Sequence, residues 1–234
     1  MNEIRIRKSA ERGVTDVDWL RSLHSFSFGD YHDPAQMGFR TLRVINEDFI
    51  APGGGFPTHP HRDMEIFSYV VRGALAHRDS MGHEKTIVPG QIQVMSAGRL
   101  VTHSEFNPSS SEATHMLQIW IRPRERGLPP SYTEWQPTPE RANAQKVLMI
   151  SADGREGSAT IQQDASVYRL RLQAGEEASH DLPVGRGLWV QVVAGALSLN
   201  GVALTAGDGA SSEVAGTYTI RADSDVEALL FDLN

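Results

Sequence analysis

Cysteine is absent from all 234 residues. That excludes disulfides, thiolate metal ligands and a thiol nucleophile in one step. No run is long and apolar enough to span a bilayer, so no membrane partner is expected. The N-terminal stretch Met1-Asn2-Glu3-Ile4-Arg5-Ile6-Arg7-Lys8 lacks the apolar core of a secretory signal, and the expected location is cytoplasmic. A basic excess is missing too: 22 Lys and Arg stand against 29 Asp and Glu, for a net charge of −7. The two signs are mixed along the chain, without the basic stripe that nucleic-acid binders use to neutralise phosphates. No direct nucleic-acid partner is expected. Long helical periodicity is scarce as well.

What is present reads as strand. Forty per cent of the residues are hydrophobic, enough for a real core. The length suits one large domain or two small ones. Alternating or β-branched segments recur at Phe39 to Ile50, Glu65 to His77, Gln91 to Met95, Thr114 to Ile121, Val167 to Leu172 and Leu188 to Val193. Gly, Pro and Asp turns separate them at short intervals, the pattern of an all-β sandwich or barrel. One short helical turn is expected in Asp16 to Leu23. From Arg122 to Gln145 the composition shifts to Pro and polar residues, which reads as a linker or crossover. The division expected is 1–122, a linker at 123–145, and 146–234. A faint repeat relates the halves: Tyr69-Val70-Val71-Arg72-Gly73-Ala74-Leu75 resembles Gln191-Val192-Val193-Ala194-Gly195-Ala196-Leu197.

Two stretches carry candidate chemistry. In Gly53-Gly54-Gly55-Phe56-Pro57-Thr58-His59-Pro60-His61-Arg62-Asp63-Met64-Glu65, a His-x-His pair precedes a glutamate. In Gly98-Arg99-Leu100-Val101-Thr102-His103-Ser104-Glu105-Phe106-Asn107, His103, Glu105 and Asn107 alternate. Residues two apart on a strand point to one side. Three imidazoles and one or two carboxylates can then close on one divalent cation. Imidazole and carboxylate together suit Fe, Mn, Co, Ni, Cu or Zn. Structural zinc sites usually use thiolates and close at four ligands. Three His and one Glu leave positions open for water, substrate or dioxygen, as a catalytic metal requires. Spacing alone leaves open whether Glu65 or Glu105 is the carboxylate ligand. His24, His32, His77, His83 and His180 show no partner pattern and read as surface or core polar residues. Asn107 reads as a turn residue.

The order Gly53, His59-Pro60-His61, Glu65 and Gly73 resembles the first cupin motif, and His103 to Asn107 resembles the second. More specifically, His24 to Phe28, Phe56 to Glu65, Asp79 to Gly82 and Met95 to Pro108 are similar to the pirin family. The similarity is dense over residues 20 to 125 and weaker beyond. It lies on the side of the bacterial pirin-like proteins with quercetin 2,3-dioxygenase activity. Leu100 stands where pirins usually carry a second glycine after Gly98. The resemblance implies a bicupin: two jelly-roll β-barrels face to face, joined by the Pro-rich linker. It implies metal in the N-terminal barrel only, the C-terminal barrel being degenerate. The implied ligands are His59, His61, His103 and Glu105 around one divalent transition metal, Fe(II) foremost.

The implied activity is a dioxygenase that cleaves the central ring of a flavonol such as quercetin with O2 and releases carbon monoxide. Glu105 would accept the substrate's hydroxyl proton, if geometry lets it reach. Glu65 would then stand behind the ligands and orient an imidazole. Phe28, Phe56, Met95, His115 and Trp120 are the expected pocket residues. Two other readings stand beside this one. One is a non-enzymatic metal- or redox-sensing regulator with a protein partner. The other is a different cupin reaction, such as isomerisation or decarboxylation.

Overall fold

The computed structural model describes residues 3–234. Among them, the only helical elements are two three-residue 3-10 turns, Ser9–Glu11 and Arg155–Gly157. No helix is long and apolar enough to cross a membrane. The first strands are β1 (Arg5–Arg7), β2 (Gly13–Val17), β3 (Leu20–His24), β4 (Leu42–Ile50), β5 (Gly55–His61) and β6 (Glu65–Arg72). Then come β7 (Leu75–Asp79), β8 (Glu84–Ile87), β9 (Ile92–Ser96), β10 (Val101–Phe106), β11 (Thr114–Ile121) and β12 (Ser131–Trp135). The remainder are β13 (Lys146–Ser151), β14 (Ala159–Thr160), β15 (Ala165–Leu172), β16 (Glu177–Leu182), β17 (Gly187–Ala194), β18 (Ala196–Leu199), β19 (Val202–Thr205), β20 (Gly209–Ser212), β21 (Gly216–Ala222) and β22 (Val226–Leu233).

The strands divide between two compact units. One comprises Gly13–Gln136 with Ala159–Gln163, and the other Pro137–Ser158 and Asp164–Asn234 with the N-terminal segment up to Arg12. The expected boundaries therefore shift. Strand β1 belongs with the C-terminal strands, where Arg5 pairs with Ser211 on β20. The Pro-rich stretch is not all linker, because β12 pairs with β9. Asp16 to Leu23 is not helical either. Val14, Thr15 and Val17 favour extended backbone, and β2 and β3 form a hairpin with Val17 opposite Leu20.

In the N-terminal unit a seven-stranded sheet runs β12-β9-β6-β11-β4-β3-β2, and a four-stranded sheet runs β5-β10-β7-β8. Residues directly opposite on antiparallel strands share a face. Gln93 lies opposite Ser68, Ser68 opposite Gln118, Gln118 opposite Asn46, and Asn46 opposite His24. All five side chains are buried. One polar rung thus crosses five strands of the large sheet. Buried polar groups are costly unless hydrogen-bonded, so a whole rung of them marks an interior that does more than pack.

In the other unit β1-β20-β17-β22-β15-β13 form one sheet and β16-β21-β18-β19 another. Its interior is apolar, a cluster including Leu170, Leu188, Val190, Leu197, Ile220 and Leu230. The repeat seen in the sequence falls on matching turns. Gly73 (φ 81°) ends β6 before β7, and Gly195 (φ 79°) ends β17 before β18. Positive φ at these turns suits glycine, which has no Cβ to clash.

Candidate metal centre

The two ligand stretches become neighbouring strands. On β5 and β10, His103 lies directly opposite His59. The register then slips, so that Glu105 opposes Phe56. The strands approach closely there: a Cβ on Gly55 would sit 2.3 Å from the Glu105 carbonyl oxygen. This is why glycine precedes the His pair.

Hydrogen bonds fix which nitrogen each imidazole offers. His59 Nδ1 lies 2.8 Å from the Pro57 carbonyl oxygen. Its proton is therefore on Nδ1 and Nε2 is bare. His77 Nε2 lies 3.3 Å from Asp79 Oδ2 and donates to it. Its Nδ1 then accepts from His103 Nδ1, 3.4 Å away, leaving His103 Nε2 bare. The two bare Nε2 atoms face each other at 3.1 Å. Lone pair against lone pair repels unless a cation sits beside both. Two nitrogens each about 2.1 Å from one metal ion are separated by roughly this distance. The donor set therefore fits a metal.

His61 completes the trio. Its ring centroid lies 4.7 Å from that of His59 and 4.8 Å from that of His103. Ligand atoms of His59, His61 and His103 all lie within 4.8 Å of one another. Burial, reinforced by the imidazoles of His103 and His59, pushes His61 down to about 3. Burial, with His59 and His77 beside it, pushes His103 down to about 3 as well. Both rings are neutral at physiological pH, the form that ligates metal.

Glu105 is buried and gripped by the polar rung. Its Oε1 accepts from Ser68 Oγ at 2.9 Å and Gln93 Nε2 at 3.0 Å. Its Oε2 accepts from Gln118 Nε2 at 2.6 Å. Glu105 groups with His103 and His77 within 4.8 Å, so His103 is common to both clusters. His59, His61 and Glu105 also line a cavity of about 230 Å³, walled on its apolar side by Leu20, Phe28, Phe56 and Trp120.

Comparison with known families gives the lineage. Residues 5–121 match the pirin family model, and residues 148–233 match the quercetinase C-terminal cupin domain. The chain belongs to the pirin family. A quercetin 2,3-dioxygenase of Escherichia coli K12 is 46% identical over 232 residues, 98% of each chain. A pirin-like protein of Caulobacter vibrioides is 40% identical over 222 residues, 94% of this chain and 95% of its own. Among solved structures, the bacterial pirin YhhW of Escherichia coli in complex with nickel(II) aligns over 99% of each chain, with a TM-score of 0.94 and 45% identity.

Within this pirin, the other expected site residues fall in different places. Phe28, Phe56 and Trp120 line the cavity, with Phe28 edge-on to Trp120 at 5.4 Å. Met95 lies one rung farther along β9, in an apolar cluster with Ile66 and Val101 that Trp120 covers. His115 sits on the opposite face of β11 from Gln118, hydrogen-bonded to Glu47 at 2.8 Å and stacked on Phe49. Glu65 does not serve an imidazole: its Oε2 accepts from Ser96 Oγ and the Gln162 backbone N–H. Its carboxyl pKa is raised, chiefly by burial. Asn107 ties down a loop, donating to the carbonyls of Ile50, Ala51 and Glu112. Leu100, replacing the usual glycine, stands half-exposed in its turn.

Sequence reading missed His24, Asn46, Asp48, His77, Gln93 and Gln118. A signal existed in Val44-Ile45-Asn46-Glu47-Asp48-Phe49-Ile50. Alternation there puts Asn46 and Asp48 on the face of Val44 and Ile50, both buried. Polar residues on the buried face of a strand point to a ligand or a network. Burial pushes the Asp48 carboxyl up to about 7, against a hydrogen bond from Ser22 and helped by Glu105 and Glu47.

Proposed function

We propose that this pirin is a metal-dependent dioxygenase that opens the central ring of a flavonol such as quercetin and releases carbon monoxide. The observation that carries this reading is one cavity with an apolar aromatic wall on one side and neutral imidazoles plus a buried carboxylate on the other. An accessible apolar cavity favours catalysis over a sealed sensing site, and the substrate class follows the name of the Escherichia coli relative. His59, His61 and His103 would hold one divalent metal with Glu105 as the fourth ligand. Fe(II) is the first candidate; the structure of the relative contains nickel(II). When bound, the metal supplies Lewis acidity and an electron route between substrate and dioxygen at its open positions.

The protein's own groups do the rest. Glu105 Oε2 takes the proton of the flavonol 3-hydroxyl. Ser68, Gln93 and Gln118 keep that carboxylate from swinging away. Trp120 sits edge-on to the His61 ring, with centroids 4.8 Å apart, and holds its plane. Phe28, Phe56 and Leu20 exclude water and offer flat or apolar contact to an aromatic ring.

The test is aerobic quercetin turnover after anaerobic reconstitution with Fe(II) and, in parallel, other divalent metals. Carbon monoxide is measured alongside substrate loss. Metal-dependent carbon monoxide release that His61→Ala abolishes is the expected result. A protein that fills with metal and yields none with any of them overturns the reading.

A further inference from the structure

The polar rung continues past what Glu105 needs. Gln93, Ser68 and Gln118 serve its carboxylate, but Asn46, His24, Ser22, Thr15 and Asp48 extend a polar surface over β4, β3 and β2. Most of that surface is internally satisfied. His24 Nδ1–H donates to Asn46 Oδ1 at 2.8 Å, and Thr15 Oγ1–H donates to His24 Nε2 at 2.9 Å. Asp48 is the exception. It lies opposite Ser22 across β3 and β4 and is only 2% exposed. Its Oδ1 has no hydrogen-bond partner, and neither does Trp120 Nε1. Both residues line the same cavity as His59 and His61. A buried carboxyl oxygen without a partner carries a desolvation penalty that a purely structural residue would not keep.

The placement is directional. Asp48 belongs to the seven-stranded sheet, whereas His59, His61 and His103 belong to the four-stranded one. A ligand that fills the cavity therefore meets Asp48 on one sheet as well as the imidazoles on the other.

We propose that Asp48 is the second recognition point of this cavity, accepting a hydrogen bond from a phenolic hydroxyl other than the one that faces the metal. The preferred substrate is then a polyhydroxylated aromatic rather than a bare flavonol skeleton. This assignment rests on the flavonol reading of the site.

Two flavonols test it. Quercetin and 3-hydroxyflavone share the 3-hydroxyl and 4-carbonyl, but 3-hydroxyflavone lacks the other ring hydroxyls. Dissociation constants are read anaerobically by tryptophan quenching of the Fe(II)-loaded protein, and kcat and KM are read in air. Wild type prefers quercetin by about tenfold, the scale of one hydrogen bond. In Asp48→Leu that preference falls to within about twofold, with the loss in Kd and KM rather than kcat. Asp48→Asn keeps an acceptor oxygen and restores part of it. Should the leucine variant fail to fold, quercetin methyl ethers on wild type decide. Capping the other hydroxyls must then cost about tenfold in Kd, and equal binding of capped and free forms overturns the assignment.

A preference that persists in both Asp48 variants overturns the assignment while leaving the flavonol reading intact. So does an equal loss for both flavonols. A wild-type holoprotein that turns over neither flavonol removes the flavonol reading, and the Asp48 assignment with it.

Discussion

The two units are built alike and filled differently. Each pairs a large antiparallel sheet with a four-stranded one, and each turns on a left-handed glycine at a corresponding hairpin. The C-terminal interior is closed by leucine, valine and isoleucine. The N-terminal interior replaces such residues by Gln93, Ser68, Gln118, Asn46 and His24, and keeps a cavity of about 230 Å³. On β16, the strand that pairs with β21 much as β5 pairs with β10, the lone histidine is His180. Its Nε2 is hydrogen-bonded at 2.9 Å to Asp232 Oδ2, and the same carboxylate pairs with Arg186. One barrel frame therefore supports either a packed core or a polar hollow, and the inward residues choose. The packed unit is stabilised by burial; the hollow one forgoes part of that burial to present polar groups.

The comparison breaks most sharply at the candidate ligands. His103→Ala removes the residue shared by both clusters. It should lose the bound metal equivalent, read by elemental analysis, and lower flavonol turnover at least a thousandfold. Retention of one metal per chain would show that the trio does not hold it.

The next contrast sets core against rung. Leu230→Ala should destabilise the protein by about 2–5 kcal/mol, because it leaves a void in a packed interior. Gln93→Leu should change stability by less than about 1.5 kcal/mol yet cut turnover roughly tenfold by loosening Glu105. Denaturant unfolding and steady-state kinetics on both variants separate the two effects. Equal destabilisation would make the rung structural.

The smallest effect is in pH. Asp48 has its folded pKa raised to about 7 from 3.8. Between those values the folded state holds a proton that the unfolded state has released. Stability is therefore greatest at the acid end of that window and falls as pH rises through about 7. Asp48→Asn carries no such proton. In metal-free protein, the variant's melting temperature should gain on wild type from pH 5 to pH 7, by a few degrees, and then run parallel. The depressed imidazoles affect both proteins equally and cancel in the difference. A gap that does not change with pH would contradict the burial of this carboxyl.

What the sequence disclosed follows from distance along the chain. His59, His61 and His103 were legible as candidate ligands because period-two spacing is local, whereas Glu105 was set apart from Glu65 only by the family resemblance. The rung was not legible. Its members, at positions 24, 46, 68, 93 and 118, come one from each of five strands, and only the register lines them up. Glu65 was misplaced for the opposite reason. It shares the local stretch with the His pair, but β6 carries it to Ser96 on the neighbouring strand. The unit boundaries were blurred at both ends, because β1 joins partners some two hundred residues away.

That last pairing bears on folding. Besides the β1–β20 ladder, the backbone N–H of Ser9 donates to Asp208 at 2.8 Å, and Lys8 pairs with the same carboxylate at 3.0 Å. Strand β1 thus cannot find its place until β20, some two hundred residues farther along the chain, is available. The sheets of the N-terminal barrel contain no partner of β1, so their pairing does not depend on this contact. Contacts of such long range are slow to form. Disrupting β1 should therefore hinder completion of the C-terminal barrel, the unit farthest from it in sequence, before it disturbs the candidate metal site that lies nearer in the chain.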